Sequence, residues 1–482
     1  MQIQRRHGFF PRIVGKGDGA SKLAEQLLRM RKEMEVEEGS GSTDGTGRGL
    51  MVSSTIESLV IIDRDVDFAT VLLTQLTYEG LVDEFYGIIN NQTEVDTSIL
   101  GPAAPQRPTN EATSSSVQSP AGPKQGLKRK IQVDSSDQLF SQLRDANFAI
   151  VGSLLNKVAR RLESDYESRH GAKSTSELRE FVNKLPAFQA EHASLKIHTN
   201  LAEDIMRRTR SDAFRRALEV QQNIAAGADP TYQHETIEEL IARDVPLATV
   251  LRLLCLESCM SGGLRTRDLE NFKKLILQAY GYQHLQTLHR LEKMELLQAR
   301  TSTGAIILPT GGSPTGLKTN YNHLRKALRL IVDEVNEQNP DDIAYVYSGY
   351  APLSIRLVQC ILQKPYMVSL IKGIPAPAAA AGNPSTGWLG FEEPVKSARG
   401  TTVNVVQKGD EKATRARQTL SGTSGVKTVF VFFLGGITFT EIAALRFIAK
   451  QEAGRRQIVI CTTGIINGNR MMDAAIEMKS FQ

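Results

Sequence analysis

Four consecutive apolar residues, Leu59-Val60-Ile61-Ile62, end at Asp63 and give the clearest indication of the fold. The run has no alternation of apolar and polar side chains, which is typical of a strand that is covered on both faces. Similar runs occur at Val429–Leu434 and Ile458–Ile460, and a shorter strand is indicated at Phe9–Val14. Helix-like patterns separate these runs. Together they predict a parallel, helix-covered sheet.

The composition narrows the class of protein. The chain has 482 residues, enough for roughly two to four domains, and 41% of them are hydrophobic. Its net charge of +5, from 58 Lys and Arg against 53 Asp and Glu, is slight beside that of non-specific DNA-binding proteins. Four cysteines are too few for a disulfide scaffold. The apolar runs fall far short of the roughly 20 residues that span a bilayer, and no secretion signal opens the chain. These features predict a soluble intracellular protein.

The middle of the chain has a different pattern. Residues 137–300 show helical periodicity and no convincing strand. One apolar stripe recurs at three- and four-residue spacing, namely Leu143, Ile150, Leu154, Val158 and Leu162. A polar turn around Gly171 follows, and Ser174-x-x-Glu177 has the form of a capping box that opens a second helix. The pattern predicts a long helical hairpin over about 140–190.

These patterns predict a fold of the α/β and α class, in which a parallel, helix-covered sheet domain is interrupted by a large, mainly helical insertion domain. A proline-rich stretch without aromatic residues indicates a disordered insertion, and a stretch rich in Ala, Pro, Gly, Ser and Thr indicates a long surface loop. The predicted boundaries are the first sheet part at 1–96, the disordered insertion at 97–136, the helical domain at 137–345, and the second sheet part at 346–482 with its loop at 373–426.

A glycine-rich turn raises the possibility of a nucleotide-binding enzyme. Gly15-Lys16-Gly17-Asp18-Gly19-Ala20 has the form G-x-G-x-x-A between a predicted strand and a helix, as in dinucleotide-binding folds. The strand before it is short, and the acidic end of the second strand, Asp63, comes only after a Gly/Ser loop. A tight strand-to-helix turn explains the glycines equally well. A Rossmann-like nucleotide-binding enzyme is therefore kept as an alternative.

Other chemical motifs are weak. Asp63-Arg64-Asp65-x-Asp67 places carboxylates at a strand end, but the arginine among them favours a salt-bridged terminus over a metal site. Neither an H-E-x-x-H arrangement nor a G-x-S-x-G elbow occurs in the sequence. We therefore predict no catalytic residue, no bound metal and no cofactor, and we do not expect an enzyme.

A second alternative is a nucleic-acid-binding protein. Residues 236–297 have short helical segments that suit a winged helix, and a cluster of arginines lies nearby. These arginines are Arg207, Arg208, Arg210, Arg215 and Arg216. Acidic residues populate the same region, however, so the pattern favours binding to protein over binding to nucleic acid.

The stretch Ile61 to Leu81, IIDRDVDFATVLLTQLTYEGL, resembles the signature of the SM (Sec/Munc-type) family. One departure is Val71, where the family usually has proline. Other segments resemble the vacuolar-sorting branch of that family, namely Leu143–Phe148, Leu155–Lys157, Arg169–Lys173, Gly281–Leu288, Phe433–Thr438 and Glu441–Arg446. The resemblance covers nearly the whole chain apart from the loop insertions.

The resemblance implies a protein that chaperones SNARE assembly in membrane fusion, as a subunit of the HOPS and CORVET tethering complexes. The implied partners are syntaxin-type and R-type SNAREs, a Vps-sixteen-type tether subunit and the other subunits of those complexes, with no nucleic acid and only indirect membrane contact. The implied location is cytoplasmic, peripheral on vacuolar, lysosomal and late endosomal membranes. Family members also have a preceding N-terminal α/β domain, and we expect that domain to be missing here.

Within this resemblance, the hairpin is expected to act as a template that holds SNARE helices in register. Its exposed polar side chains are the candidate SNARE contacts, namely Asn156, Lys157, Arg160, Arg161, Asp165, Arg169 and Lys173. A solvated helix face is the alternative interpretation of these charges. The candidate contacts for the tether subunit are Tyr280, Tyr282 and His284.

Overall fold

A computed structural model of the chain describes residues 2–41, 52–100, 128–170, 175–300, 318–371, 387–407 and 425–476. The chain divides into two compact units. We call Met1–Thr74 with Arg216–Gln482 the sheet unit, and Gln75–Arg215 the hairpin unit. This division by compactness is independent of the predicted domain boundaries, which remain predictions.

The described strands are β1 Arg12–Lys16, β2 Ile56–Asp63, β3 Gln92–Asp96, β4 Lys128–Gln132, β5 Thr402–Val406, β6 Lys427–Leu434 and β7 Arg456–Thr462. Five of them form one sheet in the order β5-β1-β2-β6-β7. Strands β1, β2, β6 and β7 are parallel, with Val60 opposite both Val14 and Val431, and β5 is antiparallel to β1. The prediction of a parallel, helix-covered sheet is confirmed.

The central strand β2 forms the core of the sheet unit. Leu59, Val60, Ile61 and Ile62 are all buried, as a strand covered on both faces requires. The first helix after β1 packs on one face, where Ala20 and Ala24 join the apolar cluster around Ile61. Small side chains on this helix allow close packing against the sheet.

The sheet unit begins with the helices α1 Gln2–His7, α2 Asp18–Gly41 and α3 Phe68–Leu72. The hairpin unit contains α4 Tyr78–Tyr86, α5 Thr97–Leu100, α6 Gln138–Leu143, α7 Phe148–His170 and α8 Thr175–Thr209. The later helices are α9 Asp212–Ala226, α10 Pro230–Ala242, α11 Leu247–Ser261, α12 Thr266–Tyr280, α13 Leu285–Lys293, α14 Tyr321–Ala327, α15 Leu353–Leu362, α16 Lys364–Leu370, α17 Glu392–Ser397, α18 Phe439–Gln451 and α19 Gly468–Ala475. Short 3₁₀ helices lie at Arg64–Val66, Tyr282–His284 and Ile343–Tyr347.

Both ends of the segment predicted to be disordered, 97–136, are ordered. Residues Thr97–Leu100 form α5, and β4 pairs antiparallel with β3. The basic side chains of β4 face acidic neighbours on β3, where Lys130 contacts Glu94 at 3.6 Å. This pairing explains why a basic, proline-flanked end adopts a strand. Residues 101–127 lie outside the described residues.

Part of the predicted surface loop at 373–426 belongs to the sheet unit. Residues 387–407 contain α17 and the edge strand β5. Trp388 is buried, and its indole N–H donates a hydrogen bond of 2.9 Å to the Leu357 carbonyl oxygen. A buried indole with a satisfied N–H is a core residue, so the expectation of a surface loop was wrong for this stretch. Residues 372–386 and 408–424 lie outside the described residues.

Candidate functional site

The hairpin unit is built around two long helices, α7 and α8. The inner face of α7 carries the buried side chains Val151, Leu155 and Leu162, at the spacing expected of a helix covered on one side. The predicted apolar stripe is confirmed only in part, because Leu143 and Leu162 are buried, whereas Ile150, Leu154 and Val158 are half-buried. Val151 and Leu155 were not predicted. The connecting turn, residues 171–174, lies outside the described residues, as does the capping serine Ser174.

The base of the hairpin is fixed by the carboxylate of Asp137. This residue caps the N terminus of α6 by accepting a hydrogen bond of 3.0 Å from the Phe140 N–H. The same carboxylate accepts a hydrogen bond of 2.7 Å from Ser194 Oγ and lies 3.1 Å from His198 Nε2, both on α8. Burial acts to raise the pKa of Asp137, but the hydrogen bonds from His198, Ser194 and Phe140 outweigh it and hold that pKa well below its ordinary value.

A buried tyrosine extends this anchor to α4. The Tyr78 hydroxyl lies 2.8 Å from His198 Nδ1, and the Phe140 ring stacks on the imidazole at 5.7 Å between centroids. Burial raises the pKa of Tyr78, so its hydroxyl stays protonated. One histidine of α8 is thereby joined to both α4 and α6.

Three of the predicted SNARE contacts share one exposed face of α7. Asn156, Lys157 and Arg160 line a shallow concavity together with Gly152 and Ser153. Asn156 and Arg160 are four residues apart, so they lie on the same side of the helix. Helix α7 therefore presents an amide and two cations to solvent within about one and a half turns.

The remaining predicted contacts are placed differently. Arg161 forms an ion pair with Glu191 of α8, so it joins the two helices of the hairpin. Asp165 and Arg169 belong to α7, but their side chains lie outside the described residues, and Lys173 lies outside them altogether. The described structure thus brings Asn156, Lys157 and Arg160 together and assigns Arg161 a contact within the hairpin.

An apolar groove beside this face was not predicted from the sequence. It measures about 1160 Å³ and lies between α7 and α8, where Leu100 and Arg129 also reach it. Its lining residues from the two helices are Ala159, Leu162, Glu163, Leu185, Phe188, Gln189, His192, Ala193, Leu195, Lys196 and Ile197. The sequence pattern that could have predicted this groove is the helical spacing of three apolar residues on α8, Leu185, Phe188 and Leu195. The groove has the apolar lining and polar rim that suit an amphipathic helix.

The three predicted tether contacts differ in exposure. The Tyr280 hydroxyl donates a hydrogen bond of 2.5 Å to the Val245 carbonyl oxygen, so it anchors the end of α12. Burial raises the pKa of Tyr280 and lowers that of His284. Tyr282, by contrast, is 76% exposed, and its neighbour Leu285 is 60% exposed. We call Tyr282 and Leu285 the tip surface. Leu285 was not predicted as a contact, because its spacing with Leu288 and Leu291 indicates a core position.

The space beside the glycine-rich turn is occupied by the side chain of Asp63. Asp63 Oδ2 accepts a hydrogen bond of 2.7 Å from the Gly19 N–H at the start of α2. Gly17 has a φ of +108°, and a Cβ added there would lie 2.2 Å from Asp63 Cβ. In a dinucleotide-binding fold the pyrophosphate takes the position of such a carboxylate at the helix N terminus. Close packing against Asp63 therefore accounts for the glycines.

The carboxylates after β2 form a buried ion-pair network. The Arg64 guanidinium donates to both oxygens of Glu441 at 3.0 and 2.8 Å and to the Asp67 carbonyl oxygen at 2.5 Å. Asp67 caps α3 and accepts hydrogen bonds from the Tyr321 hydroxyl and the Ser354 N–H. Within the described residues, no group of three or more His, Cys, Asp or Glu side chains is arranged to hold a metal. The salt-bridged interpretation accounts for this motif.

The arginine cluster near residue 210 is largely paired with acidic side chains. Asp204 contacts Arg207 at 2.7 Å and Arg208 at 2.8 Å in the hairpin unit. Arg215 lies near Asp212, and Arg216 pairs with Glu239. Pairing with carboxylates weakens the field that these arginines would present to phosphates.

Comparison with solved structures identifies the class of fold. A structure of the SM protein Vps45 in complex with the Qa SNARE Tlg2 matches with a TM-score of 0.55 and 17% identity, covering 96% of this chain and 65% of that chain. The Unc18–syntaxin 1 complex from Monosiga brevicollis matches with a TM-score of 0.57 and 14% identity, covering 98% and 69%. At these identities the likeness shows the fold, which is that of the SM proteins.

Sequence comparison gives the family. Residues 1–474 match the Sec1 family, and the chain therefore belongs to it. Vacuolar protein sorting-associated protein 33A of Rattus norvegicus is 38% identical over 477 residues, which cover 99% of this chain and 70% of the relative. Vacuolar protein sorting-associated protein 33 of Schizosaccharomyces pombe is 33% identical, covering 99% and 72%. The resemblance inferred from residues 61–81 is confirmed.

None of the helices in the described ranges is both long enough and apolar enough to cross a membrane.

Proposed function

We propose that this chain is a SNARE-binding SM protein that templates SNARE complex assembly during vesicle docking and fusion. The observation that carries the proposal is the pairing of two surfaces on one hairpin: an exposed polar face of α7 and an apolar groove between α7 and α8. The membership of this chain in the Sec1 family supports the proposal, as do the solved complexes of Vps45 with Tlg2 and of Unc18 with syntaxin 1. The proposal contains no catalytic step and no cofactor.

The two surfaces suit the two kinds of side chain that a SNARE helix presents. Apolar heptad positions of the helix would enter the groove beside Leu185, Phe188 and Leu195. Polar flanking positions would pair with Asn156, Lys157 and Arg160 on the adjoining face. A helix held in this way has already lost part of its conformational entropy, so the first turns of a four-helix SNARE bundle form at a lower cost.

A charge-reversal variant tests the polar face. Lys157→Glu combined with Arg160→Glu should weaken the binding of a syntaxin-type or R-type SNARE helix at least several-fold in calorimetry. Both side chains are exposed, so folding should be unaffected. Arg210→Glu, directly after the end of α8, is the control, because it reverses an exposed cation of the same unit away from this face. Equal SNARE affinity for the double variant and the control would refute the assignment.

We also propose that the chain works as a subunit of the HOPS and CORVET tethering complexes at vacuolar, lysosomal and late endosomal membranes. The names of its relatives as vacuolar protein sorting proteins support this assignment. In this proposal the chain is cytoplasmic and peripheral, and its contact with the membrane is made through its partners.

The tip surface is the proposed docking point for the Vps-sixteen-type tether subunit. An exposed tyrosine next to an exposed leucine is the kind of aromatic and apolar anchor on which protein interfaces depend. Tyr282→Ala with Leu285→Asp should abolish co-purification of the tether subunits while leaving SNARE binding intact. Tyr232→Ala is a suitable control, since Tyr232 is 58% exposed on α10. Undiminished recovery of the tether subunits with the double variant would exclude the tip surface.

A further inference from the structure

A histidine lies at the junction of three helices in the sheet unit. His234 of α10 places Nε2 at 2.8 and 3.0 Å from the two carboxylate oxygens of Glu257 on α11. Its other ring nitrogen, Nδ1, lies 3.8 Å from Asp268 Oδ2 on α12. The ring meets Phe272 of α12 edge-on, with centroids 5.1 Å apart. One imidazole thus contacts charged or aromatic groups on both neighbouring helices.

The groups around His234 are predominantly acidic. Glu238 of α10 is a further negative charge that acts on His234. Asp229, the N-cap of α10, interacts electrostatically both with His234 and with Arg265, the cation just before α12. Burial acts to lower the pKa of His234, but the hydrogen bond and charge of Glu257, with Asp268 and Glu238, outweigh it and raise that pKa above its ordinary value. The Glu257 side chain is 4% exposed, so a cation beside it offsets the cost of burying its charge.

Helix α12 connects this junction to the tip surface. Asp268 and Phe272 lie in its first two turns, and Tyr280 at its end is hydrogen-bonded to Val245, in the connection between α10 and α11. Tyr282 and Leu285 follow directly after Gly281. The orientation of α12 relative to α10 and α11 therefore sets the position of the tip surface.

We propose that His234 is a proton-dependent latch on the helix that carries the tip surface. The protonated imidazolium holds α10 and α12 against the buried Glu257, and loss of the proton weakens both contacts and loosens α12. The latch regulates the binding of the tether subunit, and in this respect it rests on the proposed function of Tyr282 and Leu285.

The sign of the pH dependence follows from the direction of the shift. A histidine whose pKa is raised on folding contributes stability that is fully present below its ordinary pKa of about 6.5. That contribution is lost as the pH rises through the pKa of the folded state. The latch should therefore support tether binding fully at and below pH 6.5, and binding should weaken toward alkaline pH, by at most about tenfold per pH unit for a single proton.

The test measures the affinity of the full chain for a Vps-sixteen-type subunit by calorimetry at pH 6.5 and 8.0, together with the thermal midpoint of the chain alone. The variants are His234→Gln, which keeps a hydrogen-bond donor but cannot carry the charge, and His7→Gln, which removes an exposed histidine of α1. The dissociation constant of the unmodified chain and of His7→Gln should rise several-fold between these pH values. That of His234→Gln should not change.

The outcomes separate the latch from the tether assignment. Measurable binding that is independent of pH, or that keeps the same pH dependence in His234→Gln, overturns the latch. Absence of binding at both pH values contradicts the tether assignment, and the latch is then judged by the thermal midpoint. The latch stands if raising the pH from 6.5 to 8.0 lowers the thermal midpoint of the unmodified chain but not that of His234→Gln. It is overturned if the two midpoints change alike.

Discussion

At the scale of single residues, Arg64 shows how the most recognisable motif of this chain serves the fold. Its side chain is 3% exposed and is paired with Glu441, which itself is fully buried. Such a pair contributes little net stability over an apolar replacement, but removing one partner leaves a buried charge uncompensated. The sequence predicts a salt-bridged strand end at Asp63–Asp67, whereas Glu441 as the partner depends on a contact between distant parts of the chain.

Arg64→Ala should therefore lower the free energy of unfolding by about 3–5 kcal/mol, because Glu441 loses its counter-ion in a buried site. Urea unfolding followed by circular dichroism measures the change. Arg29→Ala is the control: Arg29 pairs with Glu33 on the exposed side of α2, and its loss should change the free energy by less than about 0.5 kcal/mol. Similar losses in the two variants would show that Arg64 is not part of a buried network.

At the scale of helices and strands, continuous apolar runs made β2, β6 and β7 predictable. Strand β5 was missed because Thr402–Val406 alternates polar and apolar residues at an exposed sheet edge within a Gly-, Ser- and Thr-rich stretch. The exposure of Asn156, Lys157 and Arg160 follows from helical periodicity. The pairing of Arg161 with Glu191 does not, because it depends on the register between α7 and α8.

The anchor at the base of the hairpin gives a prediction at this scale. Asp137→Ala removes the cap of α6 and the acceptor for Ser194 and His198, and it should cost about 1–2 kcal/mol. Because the pKa of Asp137 is lowered on folding, its contribution is present above the ordinary pKa of an aspartate and is lost as the pH falls through its folded-state value. Faster amide exchange in α6 and around Ser194, at neutral pH, is the expected observation.

Exchange in α10 serves as the internal control, since α10 belongs to the sheet unit. Unchanged protection of α6 and α8 in Asp137→Ala would contradict the role of this residue as the anchor.

At the scale of the whole molecule, the sheet unit and the hairpin unit have separate proposed tasks. The hairpin unit carries the groove and polar face proposed to bind SNAREs, and the sheet unit carries the tip surface proposed to bind the tether. This separation means that a change in one surface should leave the other partner bound. The slight net charge of +5 suits a protein whose proposed partners are other proteins.

The templating role is tested most directly by the rate of SNARE complex assembly from purified helices, with and without the chain. We predict that the chain increases the initial rate of assembly, that Arg210→Glu does so equally, and that Lys157→Glu with Arg160→Glu does not. A rate that the chain leaves unchanged, or that the double variant increases as much as the unmodified chain does, would contradict the proposal that this hairpin is a template.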